Sequence, residues 1–225
     1  MPDRERALAK YRSEGARTFY DRANARPRDT SWQKRFERFF ELRRKSIAQL
    51  ELKFGDTVLD VGSGSGLSFS ELERWIGSEG RIIGIEQSQE QLAGARVLAE
   101  SQGWRNILLI GSPVEQAEIP GEADAALFSF THDIMRTPPA LLNVLAHLKT
   151  GGRIAAFGLK WAPFWRPLTN WRTWRGAKDF VTTFEGFRKP WSLLEKSVSS
   201  LEVEYAIEPT PLVGKVGLYI AIATK

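Results

Sequence analysis

From residue 55 onward, short apolar runs alternate with segments of helical periodicity along the chain. The apolar runs predict strands at residues 57–61, 81–86, 106–110, 124–130 and 153–158. Between them, three segments predict helices at residues 68–76, 88–102 and 138–148. Because each predicted strand is a continuous apolar run, the pattern indicates a parallel sheet covered by helices on both faces.

Residues 1–50 have a different pattern, with charged residues around a narrow apolar stripe. They predict a first helix over residues 4–20, a break around Pro27, and a second helix that starts at Thr30 or Ser31 and runs to Leu50. We therefore expect an N-terminal helical cap over residues 1–50 and one larger domain over residues 51–225.

The last part of the chain consists of an aromatic-rich segment followed by two apolar runs typical of strands. Residues 161–191 contain five of the eight tryptophans, and Pro163, Pro167 and Pro190 prevent this segment from being one helix. Leu201–Ile207 and Val216–Ala223 are two apolar runs close together. They predict a hairpin that completes the sheet.

Composition excludes several kinds of chemistry. The 225 residues include no cysteine, which excludes disulfides, thiolate metal sites and cysteine nucleophiles. They include only two histidines, so we expect no metal site. No apolar run reaches the roughly 18 residues of a membrane-spanning helix. We therefore expect a cytoplasmic protein.

The net charge of +5 is concentrated at the N-terminus. Residues 1–50 contain 14 Lys and Arg against 7 Asp and Glu, a net charge of +7, so the remaining residues carry −2. A basic N-terminal segment followed by a nearly neutral domain is typical of a solvated helix, a lid, or a contact with an anionic partner.

The strongest motif is the stretch Val58-Leu59-Asp60-Val61-Gly62-Ser63-Gly64-Ser65-Gly66. Glycines after a buried strand let the backbone approach a ligand, and we expect them to leave backbone N–H groups free. The spacing is G-x-G-x-G, with Leu67 where a dinucleotide loop has its last glycine, so a nicotinamide-dependent oxidoreductase is disfavoured. Asp60 before the loop favours a ligand with a cationic end over a diphosphate.

Glu86 ends the second predicted strand, twenty residues after Gly66. An acidic side chain at that place can accept hydrogen bonds from ribose hydroxyls. The pair of acidic residues therefore predicts an adenosine ligand with a positively charged group.

Together these motifs resemble those of class I S-adenosylmethionine-dependent methyltransferases. The resemblance covers residues 50–160 and rests on Val58–Gly66, on Gly84-Ile85-Glu86, and on Leu148–Arg153, which looks like the entry to the family's fifth strand. Within the family the chain is most similar to the ubiquinone/menaquinone-biosynthesis-type and bacterial phospholipid N-methyltransferase branches. The resemblance implies a Rossmann-like α/β fold with a seven-stranded, mostly parallel sheet, helices on both faces and the last strand antiparallel.

The resemblance also implies which residues hold S-adenosyl-L-methionine. Asp60, Gly62, Ser63 and Gly64 would surround the methionine moiety, Glu86 the ribose and Gln87 the adenine. Ser112, Pro113 and Val114 would border the adenine edge, and Phe130 would lie beside the sulfonium. Ser112 replaces the Asp that is common in the family, and Ser63 replaces a frequent Cys.

By the same resemblance, the acceptor site lies after the fourth and fifth strands. His132 would be the catalytic base, since the ordinary pKa of histidine, near ~6.5, suits proton transfer. Tyr20 resembles a tyrosine of the family's N-terminal cap, and residues 161–191 would form an aromatic lid over the acceptor. The implied acceptor-binding residues are Tyr20, Thr131, Lys160, Trp161 and Trp165.

These observations predict methyl transfer from S-adenosyl-L-methionine to a small hydrophobic or lipid-like acceptor by in-line displacement. The aromatic and basic lid also suits a peripheral membrane contact. The alternative is a non-catalytic or nucleic-acid-associated protein that binds S-adenosylmethionine and uses the basic N-terminal segment to contact phosphates.

Overall fold

The fold was analysed in a computed structural model, which describes the backbone of residues 30–178, 181–210 and 214–225. Side chains are described for residues 39–178, 181–207 and 215–225. The predicted helix over residues 4–20, including Tyr20, lies outside the described residues.

The described elements follow the predicted alternation closely. The strands are β1 (Thr57–Val61), β2 (Arg81–Ile85), β3 (Ile107–Ile110), β4 (Ala123–Ser129), β5 (Leu148–Leu159), β6 (Ser200–Thr210) and β7 (Gly214–Thr224). The helices are α1 (Thr30–Ala48), α2 (Phe69–Ile76), α3 (Gln89–Gln102), α4 (His132–Met135), α5 (Pro138–Ala146) and α6 (Pro167–Ala177). No helix in the described part of the chain has the length and apolarity needed to cross a bilayer.

The strands form one seven-stranded sheet in the order β3-β2-β1-β4-β5-β7-β6. β1 to β5 pair in parallel, and β7 is antiparallel to both of its neighbours. The Rossmann-like α/β fold with an antiparallel last strand is therefore confirmed. Because parallel neighbours end at the same edge, the loops after β1, β2, β4 and β5 meet at one side of the molecule.

β5 starts earlier than the pattern predicts, at Leu148 rather than Arg153. Leu148 already pairs with Ala123, and the register shifts before Ala125 pairs with Arg153. Gly151, with φ of 78°, lies within this irregular stretch. A bulge that extends the strand therefore occupies the expected helix–strand turn.

Each face of the sheet has its own buried apolar layer. Val58 faces one layer and Leu59 and Val61 face the other, as expected for alternating strand side chains. Asp60 therefore lies on the same face as Val58. Ile47 and Leu50, at the end of α1, are buried in that same layer, so α1 packs directly over the face that holds Asp60.

Candidate functional site

The predicted ligand-binding side chains converge at the carboxyl ends of β1, β2 and β4, which are neighbours in the sheet. Asp60 pairs in register with Gly84 of β2 and with Leu127 of β4. Glu86 follows β2 directly, and Thr131 follows β4 after one residue. Ligands of open α/β sheets bind in a crevice at this edge.

Asp60 is the most informative side chain in this crevice. It is fully buried, and neither carboxylate oxygen accepts a hydrogen bond from the described residues. Burial raises the pKa of Asp60 to about 7, the charge of Arg43 and the nearby Ser68 hydroxyl oppose this rise, and the charge of Glu86 adds to it. A buried carboxyl group without a donor is costly unless a ligand supplies one. Asp60 is therefore a candidate contact for a ligand that carries a hydrogen-bond donor.

Arg43 of α1 enters the same crevice and was missed by the sequence reasoning. Its guanidinium donates from Nη2 to Ser129 Oγ at 3.2 Å. Its Cζ lies 5.5 and 5.8 Å from the ring centroids of Phe40 and Phe157. Burial lowers the pKa of Arg43, although the charge of Asp60 opposes this. Its Nε has no hydrogen-bond partner among the described residues, so this cation, like Asp60, is incompletely paired.

A helical pattern in the sequence could have identified Arg43. It lies four residues after Phe39 and four before Ile47, so it occupies the apolar face of α1 rather than the solvated one. A charge on the buried face of a helix requires a partner. The basic character of the whole N-terminal segment obscured this single position.

Gly62 allows β1 and β4 to approach each other after their ends. Its φ is 70°, and a Cβ there would lie 2.5 Å from Thr131 Cγ2 and 2.9 Å from Ile134 Cδ1. Any side chain at this position would therefore be strained and would also collide with the start of α4.

Several backbone N–H groups at the start of the glycine loop donate within the protein. Those of Gly62 and Ser63 donate to the Ile85 carbonyl at 2.8 and 3.1 Å. That of Gly64 donates to Glu86 Oε2 at 3.0 Å. The loop uses these donors to join the ends of β1 and β2, so these three amides are not left for a ligand.

Glu86 is nearly buried and connects the glycine loop to the start of α3 through its carboxylate. Besides Gly64, it accepts from the Ser88 N–H through Oε1 at 2.7 Å. Gln87 follows and is half-buried. The assignment of the ribose to Glu86 and of the adenine to Gln87 stays a prediction.

The predicted adenine edge follows β3. Ser112 and Pro113 are half-buried, and the Ser112 hydroxyl donates to the Pro113 carbonyl at 2.9 Å. Val114 is buried in the apolar layer on the face opposite Asp60. Val114 therefore supports this loop from the core, while Ser112 is at its more accessible side.

Strain and unpartnered polar atoms occur together after β4. Phe130 has φ of 59°, which is unusual for a residue other than glycine. Its ring packs edge-on against Phe39 and Phe157, at 5.0 and 5.4 Å between centroids. The buried Ser63 Oγ and Thr131 Oγ1 have no hydrogen-bond partner among the described residues. Backbone strain together with unpartnered polar atoms is typical of a ligand-binding site.

His132 is buried, and both of its ring nitrogens are engaged. Nδ1 lies 2.6 Å from Asp133 Oδ1, and Nε2 lies 2.6 Å from the Thr183 carbonyl oxygen. Burial would raise the pKa of Asp133, but hydrogen bonds from His132 and Thr182 outweigh it and lower that pKa. Since a carbonyl oxygen only accepts, Nε2 is the donor in the hydrogen bond to Thr183. In this conformation His132 ties α4 to the segment around Thr183.

A cavity of about 330 Å³ lies beyond β5, at the same edge of the sheet. Trp161 stacks on Phe184 at 5.2 Å and contacts Phe187 at 5.1 Å, and Phe187 also contacts the His132 ring at 4.8 Å. One aromatic layer therefore separates the cavity from His132. The cavity is lined by Lys160, Trp161, Ala162, Pro163, Arg166, Tyr205, Ala206, Ile207 and Gly217.

The structure places only part of the predicted acceptor set around this cavity. Lys160 lines it, with Nζ 4.8 Å from the Tyr205 ring centroid, and burial lowers the pKa of Lys160. Thr131 lies on the crevice side instead. Trp165 is 66% exposed and contacts Phe164 at the surface. The segment 161–191 therefore divides into cavity walls and an outward-facing part.

Comparison with known proteins agrees with this geometry. A family model described as a methyltransferase domain matches residues 52–162. The chain is 33% identical over 87 residues, 39% of its length and 40% of the relative's, to a "probable cobalt-precorrin-6B C(15)-methyltransferase (decarboxylating)" of Saccharolobus solfataricus. It is 32% identical over 106 residues, 47% of its length and 48% of the relative's, to a protein-L-isoaspartate O-methyltransferase of Ignicoccus hospitalis. The match thus spans less than half of either curated relative.

Among solved structures, the chain is similar to the N-methyltransferase NodS from Bradyrhizobium japonicum WM9. The TM-score is 0.60 at 13% identity, and the match covers 84% of this chain and 97% of that one. This likeness concerns the fold. The branch of the family inferred from the sequence stays a prediction.

Proposed function

The chain contains a class I methyltransferase domain, and we propose that it transfers the methyl group of S-adenosyl-L-methionine to a small hydrophobic or lipid-like acceptor. The donor would bind at the carboxyl ends of β1, β2 and β4. The acceptor would bind from the side of β5, where the cavity opens.

The observation that carries this proposal is the set of buried, unpartnered polar atoms in the crevice. Asp60, Ser63 and Thr131 present oxygen atoms without partners among the described residues, and the guanidinium of Arg43 lies near Asp60. The zwitterionic amino-acid end of S-adenosylmethionine offers an ammonium for Asp60 and a carboxylate for hydroxyl or guanidinium donors. Glu86 would accept from the ribose hydroxyls.

The walls of the cavity support the acceptor class. Trp161 and Tyr205 are the aromatic residues of its lining, and Phe184 and Phe187 pack against Trp161. Lys160 and Arg166 are the cations among its lining residues. An apolar body with one anionic group would satisfy both kinds of wall. Among the described residues Lys160 has no ion pair, so its ammonium is available to such a group.

Methyl transfer requires little further chemistry from the chain. The bound sulfonium supplies an activated methyl group, and the protein has to align the nucleophile and exclude water. The aromatic layer of Trp161, Phe184 and Phe187 would exclude water on the acceptor side. His132 would serve as base only after the Thr183 carbonyl separates from Nε2.

The base role of His132 gives a prediction about turnover. In His132→Ala, kcat should fall by about 100-fold, as is typical for loss of a general base, while donor affinity stays nearly unchanged. Calorimetry and a steady-state assay measure the two effects separately. The control is His147→Ala, because the His147 Nδ1 pairs with the Asn143 carbonyl at 2.9 Å and lies outside the crevice. Unchanged turnover in His132→Ala would exclude the base role.

The crevice also predicts a pH dependence of donor binding. Only ionised Asp60 can bind an ammonium, and its pKa is about 7, so affinity should rise with pH up to about 7 and then level off. In Arg43→Met the cation that lowers the Asp60 pKa is lost, and the profile should move to higher pH by about one unit. Calorimetric titrations over a pH series measure this, with the exposed neighbour Arg44→Met as control. A profile that is the same in all three proteins would contradict the pairing of Arg43 with Asp60.

Two measurements test the proposed function as a whole. Calorimetry should detect S-adenosylmethionine and S-adenosylhomocysteine binding in the micromolar range, and failure to bind either at millimolar concentration would overturn the proposal. Transfer of labelled methyl should then be followed to a fatty acid, a phospholipid and a phenolic prenyl lipid. Label that appears only in protein or RNA would contradict the proposed acceptor class, but it would not contradict the proposed donor site.

A further inference from the structure

Helix α6 is oriented opposite to the usual amphipathic arrangement. Its buried residues are Thr169, Thr173 and Ala177. Its exposed positions carry large apolar side chains, with Leu168 57% and Trp171 51% exposed. In a helix that only completes a core, the apolar side chains face inward. Here small residues face the sheet, and the large apolar ones face out.

Hydrogen bonds on the inner face fix this orientation. Thr173 Oγ1 accepts from the Gly217 N–H at 3.2 Å, in a buried setting at the start of β7. The Asn170 side-chain amide donates to the Ala162 carbonyl at 3.2 Å. Rotating α6 to bury its tryptophans would break these bonds and would bring bulky rings against β7. The exposure of Trp171 and Trp174 is therefore built into the fold.

The exposed apolar surface continues into the loop before α6. Phe164 and Trp165 are 74% and 66% exposed, and their rings contact each other at 5.1 Å. Single exposed apolar residues are ordinary, but several from one contiguous stretch usually mark an interaction site. We call residues 163–178 the aromatic platform.

The cations of the platform lie on the same side as the aromatic rings. Arg175 Cζ lies 5.7 Å from the Trp171 ring centroid, and Lys178 Nζ lies 5.9 Å from that of Trp174. Residues 160–178 contain five Lys and Arg and no Asp or Glu. The partner of this surface should therefore combine an apolar layer with negative charge.

We propose that the aromatic platform docks the protein onto an anionic lipid bilayer surface. Tryptophan side chains favour the membrane–water interface, and Lys and Arg beside them bind anionic headgroups. Nucleic acid fits less well, because one face of the Trp171 and Trp174 rings is already covered by a cation. The exposed apolar surface of Leu168 and Phe164 suits a bilayer better than a nucleic acid. Docking is independent of the proposed methyl transfer.

The platform adjoins the cavity, which gives docking a consequence. Pro163 and Arg166 belong to both the cavity lining and the platform. A docked protein would hold the opening of the cavity at the level of the headgroups. If the proposed acceptor class holds, a lipid-like acceptor could enter without crossing water.

The test is co-sedimentation of the full chain with vesicles, in the absence of any methyl donor. Vesicles of phosphatidylcholine alone are compared with vesicles that also contain phosphatidylglycerol. We expect binding to the anionic vesicles that weakens as salt increases. Brominated phosphatidylcholine mixed into these vesicles should quench tryptophan fluorescence.

Two matched pairs of variants locate the surface. The double variant Trp171→Ser/Trp174→Ser should weaken vesicle binding by about tenfold or more, from the loss of buried apolar area. Trp75→Ser, which removes a 40% exposed tryptophan from α2, should bind like the wild type. Arg175→Glu should weaken binding, whereas Arg96→Glu on α3 should not. All these positions are exposed, so thermal unfolding should confirm intact folding.

Three results would overturn the proposal. The first is absence of binding to anionic vesicles, or equal binding by the platform and control variants. The second is binding of a mixed-sequence RNA, but not of vesicles, that is lost in the platform variants. The third is self-association in sedimentation velocity, again without vesicle binding, that the platform variants abolish. Because no donor is present, none of these outcomes depends on whether the methyl-transfer proposal holds.

Discussion

Asp60→Asn is expected to weaken S-adenosylmethionine binding by about 100-fold. Asp60 is fully buried and has no hydrogen-bond donor among the described residues, so the ligand ammonium would be its donor. A hydrogen bond to a charged group contributes about 1.5–3 kcal/mol, and each 1.4 kcal/mol is about tenfold in affinity. Calorimetry above pH 7, where Asp60 is mostly ionised, measures the loss.

S-adenosylhomocysteine provides the sharpest comparison for this variant. It keeps the ammonium and lacks the positive sulfonium, so its affinity should fall by the same factor. A loss restricted to S-adenosylmethionine would show that Asp60 faces the sulfonium instead. Asp56→Asn is the control, because the Asp56 carboxylate accepts from the Lys53 N–H at 2.7 Å before β1 begins, at the other edge of the sheet. Unchanged affinity in folded Asp60→Asn would contradict the site.

Gly62→Ala is expected to lower the free energy of unfolding by about 3 kcal/mol. About 1 kcal/mol comes from a side chain at positive φ. The rest, about 1–3 kcal/mol, comes from forcing a methyl group into occupied space, because the new Cβ would lie 2.5 Å from Thr131 Cγ2. Denaturant unfolding measures the loss. Donor affinity should fall as well, since Thr131 and Ser63 border the same crevice.

Gly121→Ala separates these two contributions. Gly121 has φ of 73°, close to the 70° of Gly62, but a Cβ there would meet nothing within 4 Å. It should therefore lose only the conformational part, about 1 kcal/mol. Equal losses in the two variants would mean that the close approach of β1 to α4 costs nothing, and that Gly62 is required for its φ alone.

The order of strands and helices was predictable because it depends on local periodicity. The runs at β1, β2 and β4 are continuous and apolar, and they could only form strands buried on both faces. Their boundaries were predicted to within one residue, whereas β5 began five residues early. That error arose from a bulge, which depends on how Ala123 and Leu148 pair across the sheet.

The predicted donor residues come together in the structure more completely than the predicted acceptor residues. Asp60, Gly62 and Glu86 lie next to strand ends, so the parallel topology alone brings them together. Trp161 and Trp165 lie in one irregular segment, and nothing in the local pattern distinguishes the ring at the cavity from the ring at the surface. The same limit applies to His132, whose two ring partners include a carbonyl 51 residues away.

By itself the sequence determined the α/β class, the motif after β1 and the acidic residues that suit an adenosine ligand with a cationic end. These are local properties, set by side-chain alternation and by residues adjacent along the chain. Only the tertiary structure decided that α1 buries Arg43 beside Asp60, that Glu86 uses the glycine-loop amide of Gly64, and that α6 turns its tryptophans outward. Each of these depends on which face of an element meets the sheet, and that is settled by long-range packing and by the pairing of buried polar groups.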